Sequence, residues 1–375
     1  MSQTSLPTHE TQIKFTNREQ LQFFAELRKR INAYFKENDI SQKANGAMVF
    51  KTVVMLSLYI LPFIAMVIFA PPFWLSLVLW SVMGFALAGN GMSVMHDANH
   101  GAYSKNHKVN KWVGYTLNLL GGSVFNWKMQ HNVLHHTYTN IAGKDDDIDG
   151  SLTMRFDPHH DVAKHHKHQW YYSFLFYGIL TLYWGTFKDF LQFRKYQKEG
   201  YNKQSKKENA LMWLKISLLK VGYFGVLFGL PMFVAGYAFW QVFLGFLIMN
   251  VLSGVILSVV FQLAHVVEET SFPLPNEAGE MEDSWAVHQL KTTSNFARHN
   301  KFLNWYVGGL NFQVEHHLFP NICHIHYPKL APIVKKTAEE FGHPYLEHKS
   351  FGSALKSHVK MLRKFGTPPL DEIMA

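Results

Sequence analysis

The chain has 375 residues, of which 48% are hydrophobic and 17% charged, with 31 phenylalanines and a formal net charge of +9. Its one cysteine, Cys323, excludes a disulfide framework and any thiolate cluster built by a single chain. The basic residues flank apolar segments, which points to an anionic lipid surface and away from nucleic acid, while a mean hydropathy of −0.07 leaves room for a sizeable water-facing part.

The first 45 residues are polar and contain no uncharged apolar core of a signal peptide, so no cleavable secretory signal is expected. Within them Phe23, Phe24, Leu27, Ile31 and Phe35 recur at helical spacing around Arg28, Lys29 and Arg30. This predicts an amphipathic helix on or near the membrane face, with packing against a water-facing domain as the alternative.

A membrane span needs roughly 20 apolar residues. Segments 49–70 and 73–95 qualify, joined by a Pro71-Pro72 turn too short for anything but a hairpin. Segments 215–239 and 240–264 form a second block, with Lys215 and Lys220 expected to snorkel from its start. Between the blocks, 170–187 is about 18 residues long, at the short limit for a span. It carries Trp170, Tyr171, Tyr172, Tyr177 and Tyr183.

The histidines decide how to read that segment. His96 and His100 lie in HDANH, His131, His135 and His136 in HNVLHH, and His316 and His317 in QVEHH, while His265 closes the last apolar segment. Residues four apart share a helical face, so His96 with His100, and His131 with His135, can each aim two imidazoles inward. His136 is one step further round, and Gln313, His316 and His317 stand at i, i+3 and i+4. Eight imidazoles are enough for two metals. The absence of HExxH argues against a zinc metalloprotease, and the lack of the full soluble di-iron pattern, glutamates combined with paired Glu-x-x-His motifs, argues against a soluble di-iron protein. Groups that share a metal site must lie on one side of the bilayer, so an even number of spans separates them. Segment 170–187 is therefore expected at the interface and not across the membrane. The expected fold is an all-α integral membrane protein. Four transmembrane helices in two hairpins carry a cytoplasmic helical cap that holds the histidines. The expected parts are an N-terminal segment 1–45, a membrane domain 46–345 and a C-terminal helix 346–375. Basic stretches at 105–111, 188–207 and 329–336 would mark the cytoplasmic side.

HDANH, HNVLHH and QVEHH, in that order with spans between them, resemble the three histidine boxes of membrane fatty-acid desaturases. The glutamine opening the third box is similar to the front-end acyl-lipid and acyl-CoA branch, which acts between an existing double bond and the carboxyl end. The resemblance runs from about residue 45 to 345 and includes TNIAGKDDDID and GGLNFQVEHHLFP. It implies two iron ions held by His96, His100, His131, His135, His136, His316 and His317, with His265 matching an additional ligand of related acyl-CoA enzymes. Gln313 replaces a histidine of other branches and is expected to meet iron directly or through water, or only to hold its helix by hydrogen bonding. Asp97, Asp145, Asp147, Asp149, Glu268 and Glu315 are expected to orient imidazoles, the acidic run having a solvated turn as its alternative. The implied reaction is O₂-dependent formation of a cis double bond in a fatty acyl lipid or acyl-CoA. No HPGG haem motif of a fused cytochrome b5 is present, so a separate donor of ferredoxin or cytochrome b5 type is expected, in a bacterial inner membrane. A fatty-acid, sphingoid or carotenoid hydroxylase on the same scaffold stays open, as does a non-redox metal-dependent membrane protein. The cluster His159, His160, His165, His166 and His168 shares no spacing with the boxes and reads as a solvated loop.

Overall fold

The computed structural model describes residues 6–7, 11–148 and 153–368. Among these the protein is helical apart from two short parallel strand pairs, Lys14–Phe15 with Glu280–Met281 and Asn295–Phe296 with Glu347–His348. Four helices are long and apolar enough to cross a membrane: Gly46–Phe69, Phe73–Asn99, Lys206–Phe233 and Phe239–His265. The chain divides into two interleaved units. One comprises Met1–Lys43, Met129–Ser173 and Val260–Ala375; the other comprises Ala44–Lys128 and Phe174–Val259.

The second unit holds most of the apolar helices. Asn45 caps the first by accepting from the Ala47 and Met48 amides. That helix ends where Ala70 turns left-handed (φ 42°) before Pro71-Pro72, giving the expected hairpin, and the Tyr237 hydroxyl donates to the Pro71 carbonyl at 2.5 Å. The third helix starts nine residues earlier than the expected 215, because Ser205 and Glu208 form a capping box. It ends at Phe233, before a turn in which Gly236 is left-handed (φ 75°), so the break precedes the expected 239–240 junction. The second and fourth helices approach through small residues: a Cβ on Gly84 would lie 2.6 Å from the Met249 carbonyl, and one on Gly245 would enter the Trp80 ring. Phe50, Phe69, Trp74, Leu218, Val221 and Phe233 point outward, as lipid-facing residues do.

Lys220 does not snorkel. Its ammonium is buried and donates to the Gly121 carbonyl at 2.5 Å, the Trp184 carbonyl at 2.7 Å and the Asp189 carboxylate at 2.6 Å. Asp189 also accepts from the Ser123 amide and the Asn126 side chain. A buried cation costs least where its hydrogens are satisfied in this way. The aromatic helix Gln169–Tyr183 runs into a π-helical turn, Trp184–Lys188. Its Thr181 donates to the Asn250 carbonyl at 2.6 Å, and Gly254 meets the Tyr177 carbonyl so closely that a Cβ would be 2.6 Å away. Small residues thus let it lie against the fourth apolar helix.

In the first unit, helix Leu21–Glu37 turns Phe23, Leu27, Ile31 and Phe35 into a protein core with Val287, Leu290, Leu330 and Val334, which lie on helices Trp285–Thr292 and Tyr327–Glu340. The apolar stripe read from the sequence is there, but it packs against protein and not lipid. The C-terminal helix Phe351–Phe365 is capped by Ser350. Leu27→Ala should therefore destabilise the detergent-solubilised protein by about 2–5 kcal/mol in thermal unfolding; a membrane-facing leucine would leave the transition almost unmoved.

Candidate metal centre

The second box sits on Lys128–His135, which is wound as a π-helix and runs into His136–Tyr138. The looser i→i+5 winding brings positions i+4 and i+5 to either side of position i, so three imidazoles gather where an α-helix would gather two. Ring centroids are 5.2 Å apart for His131 and His135, 4.8 Å for His131 and His136, and 5.7 Å for His135 and His136.

The acidic run after this box folds back on it. His131 Nδ1 donates to Asp147 at 3.0 Å, and His135 Nδ1 donates to Asp145 at 2.9 Å. Asp145 is fully buried and accepts from the Asn140 and Asp147 amides at 2.9 and 3.0 Å, in a turn where Asn140 (φ 58°) and Gly143 (φ 75°) are left-handed. Gln130 donates to the other oxygen of Asp147. Burial opposes charge on His135, yet the Asp145 carboxylate outweighs it and holds the imidazole above its ordinary value. On His131 burial wins over Asp147, and the value is lowered. Burial likewise pushes the Asp145 carboxyl up.

The third box is the short helix Gln313–Leu318, entered through left-handed Gly308 and Gly309. His316 Nδ1 lies 3.3 Å from the Tyr327 hydroxyl, and His317 Nδ1 donates to Gln289 Oε1 at 2.8 Å. His265, the last residue of the fourth apolar helix, points Nδ1 at the Thr292 carbonyl, 3.3 Å away. Its Nε2 therefore carries the lone pair, which the Gln313 amide meets at 3.1 Å. One nitrogen from each of His135, His265 and His317 lies within 4.8 Å of the others. His131 and His316 stack at 6.0 Å, and His136 lies 4.6 Å from His316 and 4.4 Å from His317 by ring centroid.

His96 and His100 belong to the other unit. They follow a π-helical turn, Asn90–Val94, and their rings are 4.7 Å apart, each 5.6 Å edge-on from Trp127. Asp97 beside them is buried. Glu315 and Glu268 meet partners other than imidazoles. Glu315 accepts from Asn295 at 2.9 Å and Tyr345 at 2.7 Å, and burial raises its carboxyl to about 7. Glu268 pairs with Lys360 at 3.0 Å near the surface, because it lies beyond the end of the fourth helix. Asp149 falls outside the described residues. In the other histidine cluster, His160 pairs with Asp157 at 2.6 Å and His159 with the Phe272 carbonyl at 2.6 Å, while His165 is exposed. Gln289, Tyr327 and the Thr292 carbonyl escaped the sequence reading, since no motif or spacing marks them. Gln130 directly precedes His131 and could have been suspected.

These residues fit a metal. His135 Nε2 is buried and has no hydrogen-bond partner among the described residues, while its Nδ1 is held by a carboxylate. That is the arrangement of a metal-binding imidazole with an outer carboxylate. An all-nitrogen donor set suits Fe, Zn, Cu or Ni and not a hard cation such as Mg²⁺.

Fold and site together define a membrane protein with a buried cluster of histidines that could hold a metal. The family model described as fatty acid desaturase matches residues 72–349, and the chain belongs to the fatty acid desaturase family. Similar proteins include a sn-1 linoleoyl-lipid 6-desaturase of Synechocystis sp., 39% identical over 94% of this chain and 98% of its own length. One of the same description from Arthrospira platensis is 38% identical over 96% of each. An acyl-lipid (8-3)-desaturase of Physcomitrium patens is 34% identical over 94% of this chain and 74% of its own length. The protein is thus an oxidoreductase that desaturates lipid acyl chains.

His135→Ala and His316→Ala should each abolish product formation in membranes that contain wild-type amounts of the protein by immunoblot, whereas His165→Ala should keep near wild-type turnover. A pH effect follows from His358, which is buried, donates to the Val266 carbonyl at 2.8 Å, and is held by that burial at about 4. The unfolded chain takes up this proton at about 6.5 and the native one only near 4, so stability falls as pH drops through that interval, by about 1.4 kcal/mol per pH unit. Thermal unfolding at stepped pH should show the slope in wild type and a shallower one in His358→Gln.

Proposed function

We propose that this enzyme is a front-end desaturase that places a cis double bond at carbon 6 of a linoleoyl chain carried on a membrane lipid, using O₂ and two iron ions. The observation that carries the chemistry is the buried grouping of His135, His265 and His317, with its imidazoles held from behind. The two 6-desaturases, similar over nearly the whole chain, support the position and the lipid carrier. We assign His131, His136 and His316 to the metals from the same cluster, and His96 and His100 from the order of the boxes. Iron, when bound, supplies the O₂ activation that an unactivated C–H bond demands.

The protein's own part is positioning. Asp145 and Asp147 keep the protons of His135 and His131 on Nδ1, so Nε2 can serve as the ligand atom. Burial of the cluster excludes bulk water, which would otherwise compete for the metal and for reactive species. A saturated stretch of acyl chain offers no group to recognise, so register must come from the headgroup end and from binding along the chain. Electrons come from a separate acidic carrier of ferredoxin or cytochrome b5 type, attracted by the basic surface. The positive-inside pattern supports a cytoplasmic site, and the similarity to the Synechocystis and Arthrospira enzymes supports a bacterial inner membrane.

The test is gas chromatography–mass spectrometry of lipids from a host fed linoleate and expressing the chain with a ferredoxin and its reductase. A fatty acid two mass units lighter, its new double bond at carbon 6, is the expected product. It should be released by a sn-1-specific lipase. A product sixteen units heavier would make the protein a hydroxylase, and a new bond on the methyl side would overturn the front-end assignment.

A further inference from the structure

Thr139, Gln289 and His317 form a fully buried triangle inside the first unit. Gln289 Oε1 lies 2.8 Å from both His317 Nδ1 and the Thr139 hydroxyl. Thr139 Oγ1 is also 2.7 Å from the His135 carbonyl and 3.3 Å from His317 Nδ1, which ties the amide to the second box. The other end of the amide, Gln289 Nε2, is buried and meets no hydrogen-bond partner among the described residues.

A carboxamide carries an acceptor and a donor at nearly the same reach, so turning it over reverses the polarity of every bond it makes. With Oε1 toward His317, the imidazole must keep its proton on Nδ1 and presents the Nε2 lone pair beside His135 and His265. With the amide nitrogen toward His317, Nδ1 must accept, the proton moves to Nε2, and that nitrogen can no longer bind a metal. The oxygen-inward state satisfies His317 and Thr139 at once but leaves an amide N–H₂ buried and unbonded, a cost of about 1–3 kcal/mol. Packing alone gives no reason for a glutamine here; a need for an acceptor at His317 does.

We propose that Gln289 is a positioning residue that selects the metal-binding tautomer of His317. The second box uses carboxylates, which can only accept, for the same task; Gln289 performs it with a neutral group that adds no further charge to the buried cluster. The proposal rests on the reading that His317 holds a metal.

The experiment measures ferrous-iron affinity anaerobically by competition with a chromogenic chelator, together with iron per chain, in solubilised wild type, Gln289→Met and Gln289→Glu. Loss of the acceptor in Gln289→Met should weaken iron binding 10–100-fold. Gln289→Glu, an acceptor at both oxygens, should stay within a few-fold of wild type. An unaffected Gln289→Met, or a Gln289→Glu as weak as Gln289→Met, overturns the tautomer role. If Gln289→Met does not fold, as judged by thermal unfolding of the metal-free protein, Gln289→Glu decides alone, and a tenfold loss there overturns it. Wild-type protein that takes up no iron overturns the metal reading itself.

Discussion

An imidazole binds a metal through one nitrogen only when its other nitrogen keeps the proton, so a buried histidine cluster depends on what stands behind each ring. In this protein His131 and His135 lean on Asp147 and Asp145, His317 on Gln289, His316 on Tyr327 and His265 on the Thr292 carbonyl. Those partners come from the loop after the second box, from helix Trp285–Thr292 and from helix Tyr327–Glu340. Much of the first unit can be understood as the frame that brings them there. The core of Phe23, Leu27, Val287, Leu290 and Leu330 sets the two helices that supply Gln289 and Tyr327. The left-handed Asn140 and Gly143 reverse the chain so that Asp145 returns to His135, ten residues before it.

The frame uses two kinds of support. Carboxylates behind His131 and His135 raise the basicity of the second-box nitrogens, at the cost of burying acid groups that burial itself pushes towards protonation. Neutral oxygens behind His265, His316 and His317 orient without adding charge. Had every ring been backed by a carboxylate, the buried site would carry several uncompensated negative charges before any metal arrived. The mixture limits that charge while still fixing the rings.

The sequence disclosed what depends on local periodicity and on motif. Four apolar helices, the Pro71-Pro72 hairpin and the histidines were legible because span length and i, i+4 spacing are properties of single segments. So was the apolar stripe of helix Leu21–Glu37, but not what it faces, since a stripe of Phe23, Leu27, Ile31 and Phe35 suits lipid and protein equally. Lys220 was misread for a related reason: a lysine near a span end snorkels by default, and only the fold reveals Asp189 and two carbonyls within reach. The π-winding of Lys128–His135 was invisible because helix type depends on how surrounding structure takes up one extra residue per turn. Asp145 and Asp147 could be suspected from their proximity to the second box, whereas Gln289 and Tyr327 come from segments whose composition is that of ordinary helices.

The π-turns bear on the same constraint. Two of them, Asn90–Val94 and Lys128–His135, precede or carry histidines of the first and second boxes. An α-helix offers neighbours at i+3 and i+4, so three ligands spaced i, i+4, i+5 would place the third well off the shared face. Adding a residue to the turn corrects that mismatch, and it does so at a known cost, because π-hydrogen bonding is less favourable and appears mainly where function selects it. HNVLHH is thus a pattern that an α-helix would use poorly. The protein bends its helix to the spacing of its histidines, and the buried surroundings of His135 hold that winding in place.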